Sequence, residues 1–399
     1  MHLTKREKDM LNGRYGTTKK KAMEILVSLG KIFNAKSMIK IASAQISGIS
    51  YKNLSDEGLG FLNDFLAEDV KVEVPTTINP CGMDLKQWQE MGIQKKFAKK
   101  QLEIIKIFKK INASITCSCV PYLIGNKPKF HEHIAWAESS AVIYANSVLG
   151  AYSNRESGIS ALCSAITGVT PKYGYHLDEK RKANYLVNVK VKLKNDSDFS
   201  ALGYLIGKKI LNGVPYIQGI KKVTKKNLKF LGASMASSGG ISLYHIKGIT
   251  PEARKYNMLS KKFEKVEITD LSEAYEELNF DSGEVDLIAI GCPHTSLYEL
   301  KKIAKLLNGR KAKTKIWIMT SRKIKEIAEK KSLIKKIEGS GAKIFADTCM
   351  VVSPLKKKFK RIATNSGKAA FYLRSYCNAK VNFGSLEKCI NAALKGEWN

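Results

Sequence analysis

Eight cysteines stand at positions 81, 117, 119, 163, 292, 349, 377 and 389 of this 399-residue chain. No pair has the Cys-x-x-Cys spacing of a zinc ribbon, which argues against a compact structural zinc site and leaves a site assembled from distant thiols. Cys292 closes the apolar run DLIAIG and Cys349 follows AKIFADT, and both runs read as strands. On neighbouring parallel strands the two sulfurs would meet at one rim of a sheet, within reach of one multinuclear centre. A third thiol has to come from elsewhere. The segment TCSCVPYL at 116–123 offers Cys119, just before Val120 and a turn stiffened by Pro121. Cys117 is the alternative, because two steps along an extended segment return a side chain to the same face. Three thiolates on a four-iron cluster leave one iron without a protein ligand, free to act as a Lewis acid on a substrate hydroxyl and carboxylate. That chemistry suits dehydration of a β-hydroxy acid, where the developing charge and the departing hydroxyl both need stabilising. Cys163, Cys377 and Cys389 lie in apolar, helical-looking segments and read as core or surface residues, while Cys81 sits in a loop that borders the site without ligating.

The stretch AWAESSAVIYANSVLGAYSNRESGISALCSAITGVTPKYGYHLDE, residues 135–179, sets short polar residues among small apolar ones. Such groups suit buried positions around a ligand better than the wet face of a helix. Within it, Glu138 reads either as an acid/base residue or as a hydrogen-bonding support for the loop of Arg155. His294, close behind Cys292, is a second acid/base candidate. Three segments offer anion contacts. Ser366 and Lys368 open a helix, Ser321 and Arg322 follow the run KIWIMT, and Asn154 and Arg155 lie in the polar stretch. Each alone is equally a helix cap with a surface charge; together they fit a small substrate with more than one anionic group.

These residues need a frame that brings chain ends together. From about 186 onward, strand-like and helix-like runs alternate: YLVNVKVKL, DFSALGYLIGKKIL, VPYIQGI, a lysine-rich helix and ISLYHIKGI, then DLIAIGC, Thr295–Leu307, KIWIMT, Lys323–Ile337, AKIFADTC and RIATNS. The pattern predicts an α/β fold of several domains, doubly wound and mostly parallel, with helices on both faces of the sheets and ligands beyond the carboxyl ends of the strands. Expected units are 1–185, helical and α/β, with the polar stretch and the first cysteine; 186–255, a small α/β unit; and 256–399, carrying the other two cysteines. Within the first, 1–75 looks largely helical, VKVEV reads as a strand ended by Pro75, a helix is expected from Leu85, and ASITCSCVPYLIG as a short strand entering a loop at Thr116–Tyr122.

Hydrophobic content of 44% with 26% charged residues fits a globular protein. No apolar run reaches the roughly 18 residues of a membrane span, and the start MHLTKREKDMLNGRYG lacks a signal-peptide core, so a cytoplasmic location is expected. The net charge of +32, from 68 Lys+Arg against 36 Asp+Glu, attracts polyanions, and a basic RNA-binding protein is the competing reading. The lysines are scattered in short clusters, with no basic arm or aromatic platform, which argues against nucleic acid and for an anionic substrate or an acidic partner.

The motifs resemble the aconitase X family of iron–sulfur dehydratases along nearly the whole chain. The resemblance rests on LTKREKDMLNGRYG at the start, VPTTINPCGMDL at 74–85, TCSCVPYL at 116–123, the stretch 135–179, SSGGISLYHIKGITPEA at 237–253, GCPHTSLYEL at 291–300, DTCMVVSPL at 347–355 and TNSGKAAFYL at 364–373. It implies an aconitase-like fold, a 4Fe–4S cluster on Cys119, Cys292 and Cys349 with one open iron, and hydro-lyase activity. The family commonly has Cys-Thr-Pro-Tyr where this chain has Cys119-Val120-Pro121-Tyr122. It also implies a small swivelling domain that carries the serine base, fused in some members and a separate chain in others. Ending at Asn399 just after its last helical pattern, this chain is expected to be the large subunit of the two-chain form, working in a hetero-complex. An archaeal branch of that form dehydrates mevalonate 5-phosphate to trans-anhydromevalonate 5-phosphate in isoprenoid synthesis, which is the activity expected here. Dehydration of another β-hydroxy acid such as cis-3-hydroxyproline, known from the fused bacterial form, is the alternative.

Overall fold

The structure is a computed structural model that describes residues 1–256, 263–354 and 358–399, so Leu355 of the DTCMVVSPL motif lies outside the described residues. Three parallel sheets dominate. The first has the strand order Thr76–Ile78, Ala44–Ile46, Ala135–Trp136. The second runs His245–Ile246, Pro215–Gln218, Tyr185–Val189, Glu264–Ile268. The third, of five strands, runs Ala342–Ala346, Lys315–Thr320, Leu287–Thr295, Arg361–Thr364, Lys380–Phe383. Parallel pairing with intervening helices is the doubly wound α/β arrangement expected from the alternating pattern. The strand Glu264–Ile268 pairs with Tyr185–Val189, so the second sheet continues past residue 255, where the sequence pattern suggested a boundary.

Local signals explain the frame. The helix Leu297–Leu307 starts at a capping box between Ser296 and Glu299, and Asp196–Ile210 at one between Asn195 and Asp198. The helix Lys95–Lys110 buries Ala98, Gln101, Ile104, Ile105 and Phe108, a spacing of three and four that makes one apolar stripe. Its Ile104, Ile105 and Phe108 side chains each contribute about 1.5–3 kcal/mol of burial. Gln101 in that stripe accepts from the backbone N–H of Tyr51 at 3.0 Å and of Gly82 at 2.9 Å and donates to Ile49 O at 3.0 Å, tying down two loops. None of the helices among the described residues is long and apolar enough to cross a membrane.

Several elements depart from the sequence pattern. VKVEV is not a strand; the strand begins after Pro75, at Thr76. Residues 85–92 form turns and the helix starts only at Lys95. The helix expected over Lys323–Ile337 breaks at Ser332, whose φ of 56° puts it in the left-handed region, into Arg322–Lys330 and Leu333–Glu338. The short strand expected just before Thr116 is only an isolated bridge between Ser114 and Thr77, while the loop expected from Thr116 is present: Cys117 takes φ 42°, and a 3-10 turn follows over Pro121–Leu123.

Candidate functional site

The carboxyl ends of two sheets face one cavity of about 250 Å³. From the first sheet come Ser47 after Ala44–Ile46, Asn79 after Thr76–Ile78, and Glu138 after Ala135–Trp136. From the five-stranded sheet come Cys292, Cys349 and Lys368. The order of that sheet reverses between Leu287–Thr295 and Arg361–Thr364, the switch point at which such sheets hold ligands. Cys119 lines the same cavity from the loop after Ser118.

Cys292 is delivered by a bulge. Ile290 pairs with Ile318 and Thr295 with Thr320, so Gly291 to His294 leave the ladder between them. Gly291 has φ 107°, and a Cβ there would lie 2.2 Å from Met319 O, so only glycine lets the chain turn so close to its neighbour. Cys349 sits in the turn after Ala342–Ala346, and its Sγ accepts from Val351 N at 3.5 Å. Cys119 Sγ accepts from His294 N at 3.3 Å. Burial pushes the Cys119 thiol up to about 12, with Glu138 adding to the effect. Cys292 and Cys349 share a hydrogen bond that raises the first thiol and lowers the second. Cys117 lies outside the cavity lining; its thiol bonds with Cys81, which with burial raises its pKa.

Among the cations, Lys368 reaches the cavity from the helix Gly367–Cys377 and donates to Glu138 and, at 3.1 Å, to Ser140 Oγ. Glu138 also accepts from Asn79 Nδ2 at 2.7 Å and caps the helix Ser139–Tyr144 through Ser140 N at 3.3 Å. Burial raises the Glu138 pKa, but the Lys368 ammonium and these hydrogen bonds outweigh it and hold the carboxyl at about 2. A carboxylate so acidic is a poor proton acceptor at neutral pH, which favours its role as a support for Lys368. Burial opposes the charge on Lys368, and Glu138 more than restores it, so its pKa is raised. Arg155 lines the opening and makes no ion pair among the described residues.

Other expected anion contacts are turned away. Arg322 bonds Asp84 Oδ1 at 2.6 Å and also Asp347, and it does not line the cavity. Ser321 is buried and caps its own helix through Ile324 N at 3.3 Å. Ser366 caps Gly367–Cys377 through Ala369 N at 3.1 Å, while Gly367 N donates to Ser200 Oγ at 2.8 Å, so two N–H groups of that helix start are already used. Asn154 bridges Tyr173 O at 3.1 Å and Tyr175 N at 2.9 Å. His294 is fully buried outside the cavity lining, with both ring nitrogens engaged, and burial lowers its pKa to about 4. The buried polar residues of 135–179 mostly stitch chain to chain: Asn146 donates to Ser153 O and Ser242 O, both at 2.9 Å, and Ser147 accepts from Tyr244 N at 2.9 Å.

Lys52, Asn79 and Tyr372 line the cavity without having been singled out in the sequence. Lys52 Nζ donates to Val351 O at 2.9 Å and Ser50 Oγ to Val352 O at 2.9 Å, fastening the helix Tyr51–Phe65 to the turn of Cys349. Asn79 follows a strand as Cys349 does, a signal hidden because that strand has three residues.

The first, second and third domains described for aconitase X match residues 1–179, 183–276 and 285–395. A phosphomevalonate dehydratase large subunit of Methanocaldococcus jannaschii is 53% identical, covering 98% of this chain and 99% of its own. A cis-3-hydroxy-L-proline dehydratase of Hypocrea jecorina is 32% identical, covering 100% of this chain and 70% of its own. The crystal structure of Thermococcus kodakaraensis aconitase X in its holo-form matches with a TM-score of 0.92 and 45% identity, over 98% of this chain and 100% of that one. Matched in all three domains and over nearly its whole length, the chain belongs to the aconitase X family.

Proposed function

We propose that this chain is the large subunit of an iron–sulfur hydro-lyase that converts (R)-mevalonate 5-phosphate to trans-anhydromevalonate 5-phosphate. The observation that carries the reading is the convergence of Cys119, Cys292 and Cys349 with Lys368 and Arg155 on one cavity. The name of the 53% identical relative supports the substrate and the division into subunits.

The donor set fits an iron–sulfur group. Three thiols line one space, and backbone N–H groups already point at the sulfurs of Cys119 and Cys349, as sulfur ligands require. Among the described residues no group of three His, Cys, Asp or Glu is placed to hold a metal ion by itself. The centre proposed is a 4Fe–4S cluster on Cys119, Cys292 and Cys349. When bound, such a cluster supplies a Lewis acid to the substrate hydroxyl and carboxylate.

The chain's own residues bind and orient. Lys368 offers its ammonium to one anionic group inside the cavity, and Arg155 offers a bidentate fork to a second at the opening. A substrate with both a carboxylate and a phosphate would use both. Glu138 keeps Lys368 charged and aimed. The proton on the carbon beside the carboxylate goes to a base from the small, swivelling subunit, which also closes the cavity against water. The test is turnover by the anaerobically reconstituted complex of both chains. Loss of mevalonate 5-phosphate with appearance of the anhydro product supports the reading; turnover of cis-3-hydroxyproline alone, or full activity from this chain without its partner, overturns it.

A further inference from the structure

We infer that His294 is a positioning residue that locks the three cysteine-bearing loops into one centre, an inference that rests on the iron–sulfur reading above. The geometry is specific. Its Nε2 lies 2.7 Å from Thr348 O. A carbonyl only accepts, so Nε2 carries the proton and Nδ1 is left as an acceptor. Nδ1 lies 3.1 Å from Ser118 Oγ, which therefore donates to it. The same Ser118 oxygen accepts from Val120 N at 3.3 Å, so the hydroxyl has a fixed orientation. The backbone N–H of His294 donates to Cys119 Sγ at 3.3 Å.

Thr348 is the residue before Cys349, Ser118 the residue before Cys119, and His294 itself follows Cys292 by two. One neutral imidazole, carried by the loop of Cys292, thus bonds to the loops of both other thiols, Cys119 and Cys349. The side chain has no exposed surface, so water cannot replace either bond. The clamp is itself anchored. Lys229 Nζ donates to His294 O at 3.3 Å and pairs with Glu299 at 2.7 Å, and Glu299 closes the capping box of the helix Leu297–Leu307. Groups that orient metal ligands in this way typically change metal retention 10- to 100-fold when removed.

The experiment uses the full chain carrying His294→Leu, His294→Gln or Ser118→Ala, with two readouts. In the first, each chain is reconstituted with iron and sulfide, and release of iron to a chelator is timed alongside the visible circular dichroism of the bound centre. His294→Leu should release iron about 10- to 100-fold faster. His294→Gln, whose amide can still donate to Thr348 O, should recover most of the difference and the dichroism. Ser118→Ala should give a smaller, several-fold acceleration. In the second, iodoacetamide labelling of the cluster-free chain is followed cysteine by cysteine. In His294→Leu, Cys119 and Cys349 should label faster than in the unaltered chain while the buried references Cys163 and Cys389 do not change.

The readouts separate the two claims. An unaltered chain that takes up no iron–sulfur centre defeats the proposed function, and the labelling then judges the clamp alone. If all cysteines of His294→Leu label faster together, that variant has lost its fold and the other two carry the test. Unchanged iron release and unchanged labelling in Ser118→Ala would overturn the clamp, as would a His294→Leu chain that behaves like the original or a His294→Gln chain that recovers nothing relative to a folded His294→Leu.

Discussion

Lys368 and Glu138 stand 230 positions apart in the chain and meet as a buried ion pair at the wall of the cavity. One comes from the five-stranded sheet and the other from the three-stranded sheet, so the pair joins the two halves of the site. Removing either charge strands the other in a buried place, which is costlier than the pair itself is stabilising.

Lys368→Met should therefore depress turnover in the reconstituted complex by about a hundredfold, equivalent to 2–3 kcal/mol for one charge-assisted contact. Glu138→Gln should do less: the amide oxygen keeps the bond that aims Lys368, and the lost negative charge weakens, without removing, the amine that meets the substrate. The two effects should fall short of additive in the double variant, because they act through one contact. Additive losses would mean that Glu138 has a separate chemical role, such as proton transfer.

Single replacement of Cys119, Cys292 or Cys349 by Ala should abolish iron and sulfide retention. Cys117→Ala should keep them, because that thiol lies against Cys81 rather than in the cavity lining. Iron and acid-labile sulfide per chain decide the matter. A bleached Cys117→Ala chain beside an intact Cys119→Ala chain would reverse the assignment.

Arg322→Ala should act on the loop of Cys349 and not on substrate affinity. The guanidinium holds Asp347, two residues before Cys349, together with Asp84, which in turn accepts from Ala346 N at 2.7 Å. Losing it leaves two buried carboxylates unpaired, at a cost of about 3–5 kcal/mol. The expected result is a lowered denaturant midpoint and faster iron loss, with KM for substrate unchanged in the chains that remain loaded. A raised KM at normal iron content would return Arg322 to the substrate.

The chain should lose stability as pH falls below about 6.5. His176 is buried, its Nδ1 lies 2.9 Å from His133 Nδ1, and its Nε2 has no hydrogen-bond partner among the described residues. Burial, with His133, Arg181 and Lys172 nearby, lowers its pKa to about 3. Between about 6.5, the unfolded value, and about 3, the unfolded chain binds the proton that the folded chain refuses, so stability rises with pH across that window by up to about 1.4 kcal/mol per unit. Denaturant titrations at pH 6.5, 5.5 and 4.5 should show a flatter profile for His176→Gln. An unchanged slope would exclude His176 as a source of the acid sensitivity.

Much of this was legible in the residues themselves. The alternation of β-branched runs with capped amphipathic helices after 186 announces parallel sheets, because period-two and period-3.6 patterns are local properties of the chain. The rule that ligands gather beyond parallel strand ends then brings Cys292, Cys349 and Lys368 to one rim, and the family motifs name the third thiol. The strand Thr76–Ile78 escaped notice because three residues carry too little periodicity to distinguish a strand from a loop.

What tertiary structure alone decided is where each polar side chain points. Arg322 and Lys368 both follow strand ends in the same sheet, yet one turns to Asp84, 238 positions away, and the other to the cavity. His294 looks like a catalytic group by its place beside Cys292, but the bulge from Gly291 aims its ring at Ser118 and Thr348. A charge or an imidazole takes the partner that best repays its desolvation, and in a buried site that partner is set by packing between segments hundreds of residues apart. Local sequence determines which groups arrive at the rim; only the assembled interior determines which of them remain free to meet a substrate.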